Sequence, residues 1–316
     1  MSHKIILIIG YPASGKTLAA NSYVEQGFYR LNRDEIGGTL DGLVNHLEDL
    51  YKNRGVTNFV MDNTYSTRRS RESVIRWAQD NNFEIECRWI ELDIGEALYN
   101  AVQRMVTTYG KMLSPIQIKK CKDLGVYPPV VIYKIRKAFE EPSVEEGFNK
   151  VLKVPFKRKL DNSVYINKAI LLDYDGTLRE TKSGERYPKT PEDVKILANR
   201  IETLKKYSEK GYLLLGTSNQ SFVSKKVMTE EQAIECFEKT NELLGVKIDY
   251  KFCPHPSYPQ ICYCRKPMPG MAVEFIEKYK LDPSKCFMVG DSKTDKTFAN
   301  RCGFQYSKPE DFFNEG

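Results

Sequence analysis

The chain has 316 residues, 41% of them apolar and 28% charged, with a net charge of +6 at neutral pH. That length exceeds one ordinary domain, and the composition excludes collagen-like, disordered and disulfide-scaffold classes. The opening Met1-Ser-His-Lys4 carries no basic-then-apolar leader, and Ile5–Ile9 is too short to cross a bilayer. The expectation is an intracellular, cytoplasmic protein with no membrane partner; a nuclear or viral setting stays open.

The basic excess lies towards the N-terminus: residues 1–160 hold 24 basic and 19 acidic side chains, against 24 and 23 in the remainder. This tilts the first half towards a polyanionic partner. Taken in chain order, short apolar runs at Lys4–Ile9, Asn58–Met61 and Glu84–Glu91 are each trailed by helical or loop sequence. A second series follows at Ala169–Leu172, Tyr212–Leu215, Asp249–Phe252 and Cys286–Val289. Short apolar runs alternating with helical periodicity read as buried parallel strands, so two open α/β sheets are expected, with sites beyond the carboxyl ends of the strands. Lys153–Asn167 reads as the linker. The expected domains are 1–158 and 159–316, cut near Leu160.

Gly10-Tyr-Pro-Ala-Ser14-Gly15-Lys16-Thr17 follows the first expected strand and opens a helix, which is the P-loop arrangement. Glycines let backbone N–H groups turn onto an anion, and the helix N-terminus adds partial positive charge. Lys16 would reach the β- and γ-phosphates of ATP, and the Thr17 hydroxyl would ligate Mg²⁺. Asp34, in Leu31-Asn-Arg-Asp34, offers a carboxylate to an attacking hydroxyl, though taken alone it also reads as a helix cap or surface acid. Asp62 closes a strand, as a metal or loop-anchoring acid or a plain turn acid. Arg68, Arg69, Arg71 and Arg76 form a basic run behind it.

Asn32-Arg33-Asp34-Glu-Ile-Gly37, Met61-Asp62-Asn63-Thr64 and Tyr133-Lys-Ile-Arg136-Lys137-Ala-Phe139-Glu140-Glu-Pro142 resemble the 5′-hydroxyl kinase domain of polynucleotide kinase/phosphatases. The resemblance runs over most of residues 4–158. It implies a P-loop NTPase-type kinase fold that phosphorylates 5′-hydroxyl nucleic-acid ends, with Asp34 as general base. It also implies a lid arginine that steadies the transferring phosphoryl group. Arg104 is the candidate, and a surface arginine is the alternative at that position.

In the second half, Leu171-Leu-Asp173-Tyr-Asp175-Gly-Thr177 resembles the first signature of haloacid-dehalogenase-type phosphatases. The chemistry accounts for the spacing: Asp173 would attack phosphorus beside Mg²⁺, and Asp175 would protonate the leaving oxygen. Ser218, preferred to Thr217 because it directly precedes Asn-Gln-Ser, would hold the phosphoryl group. Lys266 would neutralise it, Asp291 would join Asp173 and Asp175 on Mg²⁺, and Asp295 would support them. The family implies a Rossmann-like sheet. The interval between Thr177 and Tyr212 leaves room for a loop and one helix but no large cap.

Cys253, His255, Cys262 and Cys264 form a Cys₃His set suited to a structural, tetrahedral Zn²⁺. Cys264-Arg-Lys266-Pro-Met-Pro-Gly-Met271 is similar to the zinc-loop subgroup that contains the heptose bisphosphate and histidinol phosphate phosphatases, with a shortened spacer between His255 and Cys262. The combined expectation is an end-healing enzyme for DNA or RNA, removing a 3′-phosphate and phosphorylating a 5′-hydroxyl ahead of a ligase. The alternative is a small-molecule kinase fused to a sugar-phosphate phosphatase.

Overall fold

A computed structural model describes residues 3–259 and 261–314. The chain forms two compact units, Met1–Ala101 with Lys122–Arg158, and Val102–Cys121 with Lys159–Gly316. A single cut after residue 158 therefore misses one feature: Val102–Cys121 packs with the later residues. Among the described residues, no helix is long and apolar enough to cross a membrane.

The first unit is built on a five-stranded parallel sheet: β1 (Lys4–Ile9), β2 (Tyr29–Leu31), β3 (Asn58–Asp62), β4 (Glu84–Glu91) and β5 (Lys150–Pro155). The strands lie in the order β2-β3-β1-β4-β5. Central β1 is covered on both faces, which is why its sequence is a continuous apolar run. Ile5, Leu7 and Ile9 pack with the helices Leu43–Arg54 and Arg68–Asp80, whereas Ile6 and Ile8 pack with Ala20 of the helix Lys16–Val24. Edge strands β2 and β5 are short or charged and were not expected. The first three residues of the expected linker, Lys153–Pro155, belong to β5 and pair with Trp89–Glu91. Pro155 is tolerated there as the last residue of an edge strand.

The basic run behind β3 is not one surface. Arg69 and Arg76 pair with Glu72, but Arg71 is fully buried. Its Nε and Nη2 donate to Glu146 at 2.6 and 2.8 Å, and its Nη1 donates to the Tyr65 and Glu140 carbonyls. One guanidinium thus fastens the segment Glu140–Glu146 to the helix Arg68–Asp80.

The second unit carries β6 (Ala169–Leu172), the antiparallel ribbon β7 (Arg179–Thr181) and β8 (Val194–Ile196), β9 (Leu213–Asn219), β10 (Asp249–Cys253), β11 (Phe287–Val289) and β12 (Gln305–Ser307). Its five-stranded parallel sheet has the order β10-β9-β6-β11-β12. The chain runs outward from β6 through β9 and β10, then crosses to β11 on the other side. The β6/β11 boundary is therefore the topological switch point, where crevices form at the carboxyl ends. The interval between Thr177 and Tyr212 holds the ribbon as well as the helix Arg200–Glu209, and no large cap.

Removing one partner of a buried ion pair leaves an uncompensated charge. Arg71→Leu should therefore destabilise the first unit by about 3–5 kcal/mol. Urea unfolding followed by tryptophan fluorescence reads this unit alone, because both tryptophans, Trp77 and Trp89, lie in it. A change below about 1 kcal/mol would show that Arg71 is dispensable.

Candidate active sites

The phosphate loop of the first unit follows β1. Ala13 and Gly15 both take left-handed backbone angles, φ 61° and 85°, and Gly15 opens the helix Lys16–Val24. A side chain is strained at such angles, which accounts for the glycine at the helix mouth. The loop is tied back by Asn100, whose Nδ2 donates to the Ala13 carbonyl at 2.8 Å. Lys16 is folded onto the loop, with Nζ donating to the carbonyls of Gly10 (3.1 Å) and Tyr11 (2.6 Å). The Ser14 hydroxyl is buried with no hydrogen-bond partner among the described residues. A bound phosphate oxygen would satisfy it, so the loop fits the anion proposed for it. Thr17 is exposed on the first helical turn.

Asp34 sits on the short helix Arg33–Ile36, capped by Asn32, whose Oδ1 accepts from the Asp34 N–H at 2.8 Å. Asn32 Nδ2 donates to the Asp62 carbonyl at 2.8 Å, and Asn63 Oδ1 accepts from the Arg33 N–H at 2.7 Å. The Asp62 carboxylate is buried and takes Arg30 through Nε and Nη2 at 3.0 and 2.7 Å. Asp62 therefore anchors the loop that presents Asp34 at the carboxyl end of the sheet. The Asp34 carboxylate is half-exposed and paired with Arg33. Arg104 is exposed on the helix Ile94–Tyr109, in the segment that compacts with the second unit; the structure does not bring it into one unit with Lys16 and Asp34.

In the second unit, Asp173 and Asp291 follow the adjacent strands β6 and β11. Gly176, at φ 84°, lets the two loops approach: a Cβ there would stand 2.6 Å from Asp291 Oδ2. Lys266 is buried among them, its Nζ 2.7 Å from both Asp173 Oδ1 and Asp295 Oδ1 and donating to the Thr217 carbonyl at 2.8 Å. Asn219 grips the lysine backbone from both sides, accepting from its N–H at 2.9 Å and donating to its carbonyl at 3.0 Å. Burial alone would lower the ammonium pKa; the two carboxylates outweigh it and hold the pKa above its ordinary value. Burial pushes Asp173 up to about 7 despite Lys266, and burial followed by the charge of Asp295 raises Asp291.

Asp173, Asp291 and Asp295 each bring one ligand atom to within 4.8 Å of the others. A set of carboxylate oxygens fits a hard cation such as Mg²⁺. The Asp175 carboxylate lies outside that group: its Oδ1 accepts from Arg179 Nε and its Oδ2 from Gln220 Nε2, each at 2.8 Å. Asp295 is in the group, its Oδ2 accepting from the Ser292 N–H at 3.1 Å. Ser218 and Thr217 separate as strand alternation requires: Ser218 lines the cleft and accepts from Gln220 at 2.9 Å, whereas Thr217 faces Met288 in the core. The cleft, of about 780 Å³, is also lined by Arg186, Lys225 and Arg265. Arg179, Asn219 and Gln220 were missed as site residues. Their nearness to the motifs at 173–177 and 218 was the available signal.

Cys253, His255, Cys262 and Cys264 converge as the spacing implied. Cys253 Sγ lies 3.7 Å from Cys262 Sγ, 3.5 Å from His255 Nδ1 and 3.1 Å from Cys264 Sγ. Thiolates on tetrahedral zinc, with bonds of about 2.3 Å, stand about 3.8 Å apart. The Cys253–Cys262 edge matches this, and the contact to Cys264 is tighter. All three cysteines are free of disulfides, and three sulfurs with one imidazole nitrogen form a closed zinc set.

Known proteins resemble both units. Residues 168–313 match the family described as polynucleotide kinase 3 phosphatase, and residues 5–115 match an AAA domain family. A D-glycero-beta-D-manno-heptose-1,7-bisphosphate 7-phosphatase of Pasteurella multocida is 35% identical over 139 residues, covering 41% of this chain and 74% of that protein. A bifunctional polynucleotide phosphatase/kinase of Schizosaccharomyces pombe is 35% identical over 157 residues, 49% of this chain but 34% of that protein. A crystal structure of a D,D-heptose 1.7-bisphosphate phosphatase from B. bronchiseptica aligns at 24% identity and a TM-score of 0.40, over 45% of this chain and 79% of that one.

The Cys₃His geometry makes a stoichiometric prediction. Purified protein should contain one zinc per chain by atomic emission, and Cys262→Ser should lose most of it and lower the melting temperature. Zinc-free protein with an unchanged melting temperature would refute the site.

Proposed function

We propose that this chain heals nucleic-acid ends, a reading supported by the match of residues 168–313 to the family described as polynucleotide kinase 3 phosphatase and of residues 5–115 to an AAA domain family. One unit would transfer the γ-phosphoryl group of ATP to a 5′-hydroxyl, and the other would remove a 3′-phosphate. The observation that supports this reading is that one chain carries two separate arrangements suited to phosphoryl transfer in opposite senses. A phosphate loop sits with an anchored carboxylate, Asp34, and a buried aspartate–lysine centre is built on Asp173 and Lys266. The fission-yeast relative, by its name, combines the same two activities.

In the kinase unit, Lys16 exchanges the Gly10 and Tyr11 carbonyls for phosphate oxygens. Asp34 takes the proton of the 5′-hydroxyl as that oxygen attacks the γ-phosphorus and ADP departs. Arg104 is retained as the residue that would steady the transferring group.

In the phosphatase unit, Asp173 attacks phosphorus and the bond to O3′ breaks while Asp175 gives that oxygen its proton. Ser218 and Lys266 hold the phosphoryl oxygens. Water then attacks the phosphoaspartate and passes a proton to Asp175, and the bond to Asp173 breaks to release phosphate. Magnesium would be held by Thr17 in one unit and by Asp173, Asp175 and Asp291, with Asp295 beside them, in the other, and would supply charge neutralisation at the phosphoryl oxygens. Cys253, His255, Cys262 and Cys264 would hold zinc and brace the loop that delivers Lys266. The products, a 3′-hydroxyl and a 5′-phosphate, are the ends a ligase joins.

A second reading, dephosphorylation of a small sugar phosphate, draws on the Cys₃His loop and the heptose bisphosphate phosphatase relatives. It leaves the kinase unit without a shared substrate.

The test uses an oligonucleotide with 5′-hydroxyl and 3′-phosphate ends, labelled ATP and Mg²⁺. Asp173→Asn should reduce phosphate release more than about 1,000-fold and spare label transfer. Asp34→Ala should reduce label transfer by about 10²–10⁴-fold and spare phosphate release. Full kinase activity in Asp34→Ala would remove it as the base, and an inert wild-type chain would overturn the reading.

A further inference from the structure

Arg179 opens β7 four residues after Asp175 and is 2% exposed. Its backbone closes the turn that follows the motif: its carbonyl accepts from the Gly176 N–H at 2.9 Å, and its N–H donates to the Tyr174 carbonyl at 3.0 Å. The side chain then returns to the motif. Nε donates to Asp175 Oδ1 at 2.8 Å, while Nη1 donates to the Cys236 carbonyl at 2.7 Å and to Thr240 Oγ1 at 2.8 Å. The guanidinium carbon lies over the rings of Tyr174 and Phe237, at 5.2 and 4.8 Å from their centroids.

A buried guanidinium is costly unless its charge is paired and its N–H groups are satisfied. Here the paired carboxylate is Asp175, and the remaining anchors belong to the helix Glu230–Leu244. The position of Asp175 is thereby referred to the packed core rather than to its own loop. From the other side, Gln220 Nε2 bridges Asp175 Oδ2 and Ser218 Oγ at 2.8 and 2.9 Å. The carboxylate is thus fixed beside the hydroxyl proposed to hold the phosphoryl group.

We propose that Arg179 is a positioning residue for leaving-group protonation, a clamp that holds Asp175 in register with the oxygen departing from phosphorus. This rests on the role given to Asp175 above. An acid held in place matters where the leaving oxygen is an alkoxide, which must be protonated as it departs. It matters little for p-nitrophenolate, which leaves unprotonated. An arginine that only tied the ribbon to the helix would affect both substrates alike.

The experiment compares kcat/KM, which reports the steps up to departure of the leaving group, for a 3′-phosphorylated oligonucleotide and for p-nitrophenyl phosphate. Arg179→Met should lower the first by about 10–100-fold and the second by less than about threefold, with Arg179→Lys recovering part of the loss. Asp175→Asn should give the same selectivity in a larger form. If Arg179→Met does not fold, Thr240→Val frees the same guanidinium from behind and should give a smaller loss with the same selectivity. Equal losses on both substrates, or none, from Arg179→Met while Asp175→Asn stays selective would overturn the clamp. Loss of selectivity in Asp175→Asn itself would overturn the acid assignment, and the clamp with it. A wild-type chain that spares the oligonucleotide but cleaves a sugar phosphate would overturn only the nucleic-acid reading. The Arg179 comparison on that alkyl phosphate then decides the clamp separately.

Discussion

A lysine ammonium enclosed by protein has to be answered by negative charge, and in the second unit that requirement organises the site. Lys266 stands 2.7 Å from both Asp173 and Asp295. The three residues arrive from β6, from the loop after Cys264, and from the helix Lys293–Cys302 that follows β11. They meet only if β6 and β11 are neighbours and the loop from β10 folds back over them. Asn219, at the end of β9, completes the assembly by gripping the lysine main chain. Without the lysine, Asp173 and Asp295 would face each other as buried like charges. The ion triad thus couples strand order, loop conformation and the protonation state of Asp173, the proposed nucleophile.

In the proposed reading the first unit handles phosphate by a different physical route. Its anion site is made from main chain: two left-handed residues, a helix N-terminus and a lysine parked on carbonyls it can release. Such a site can take and give up a nucleotide at each turnover. The second site holds its cation, Lys266, permanently, and in the proposed reaction would turn a carboxylate on phosphorus. One arrangement suits phosphoryl donation from ATP, and the other suits phosphoryl removal.

What was legible in the sequence follows from how local each feature is. The central strands declare themselves because β1 and β6 are buried on both faces. Edge strands β2 and β12 are short and partly exposed, and β5 is exposed and carries two lysines and a proline, so nothing in their composition separates them from loops. The Cys₃His set is legible because all four ligands fall within twelve residues. The partners of the Asp175 carboxylate are not legible because they depend on tertiary structure, Arg179 by way of the helix Glu230–Leu244 and Gln220 by way of β9. Arg71 is hidden in the same way: only the fold reveals that one arginine of a basic run is buried against Glu146. Val102–Cys121 continues the first unit in chain order, and its grouping with the second is a property of packing alone.

The central claim is that both sites serve nucleic-acid ends. The most direct measurement is a competition between a 3′-phosphorylated oligonucleotide and heptose bisphosphate for the phosphatase site, read as the ratio of their kcat/KM values. The account predicts that the oligonucleotide is preferred by about 100-fold or more, a difference of about 2.7 kcal/mol in transition-state binding. Preferential turnover of the sugar phosphate would contradict it and leave the kinase unit in need of another substrate.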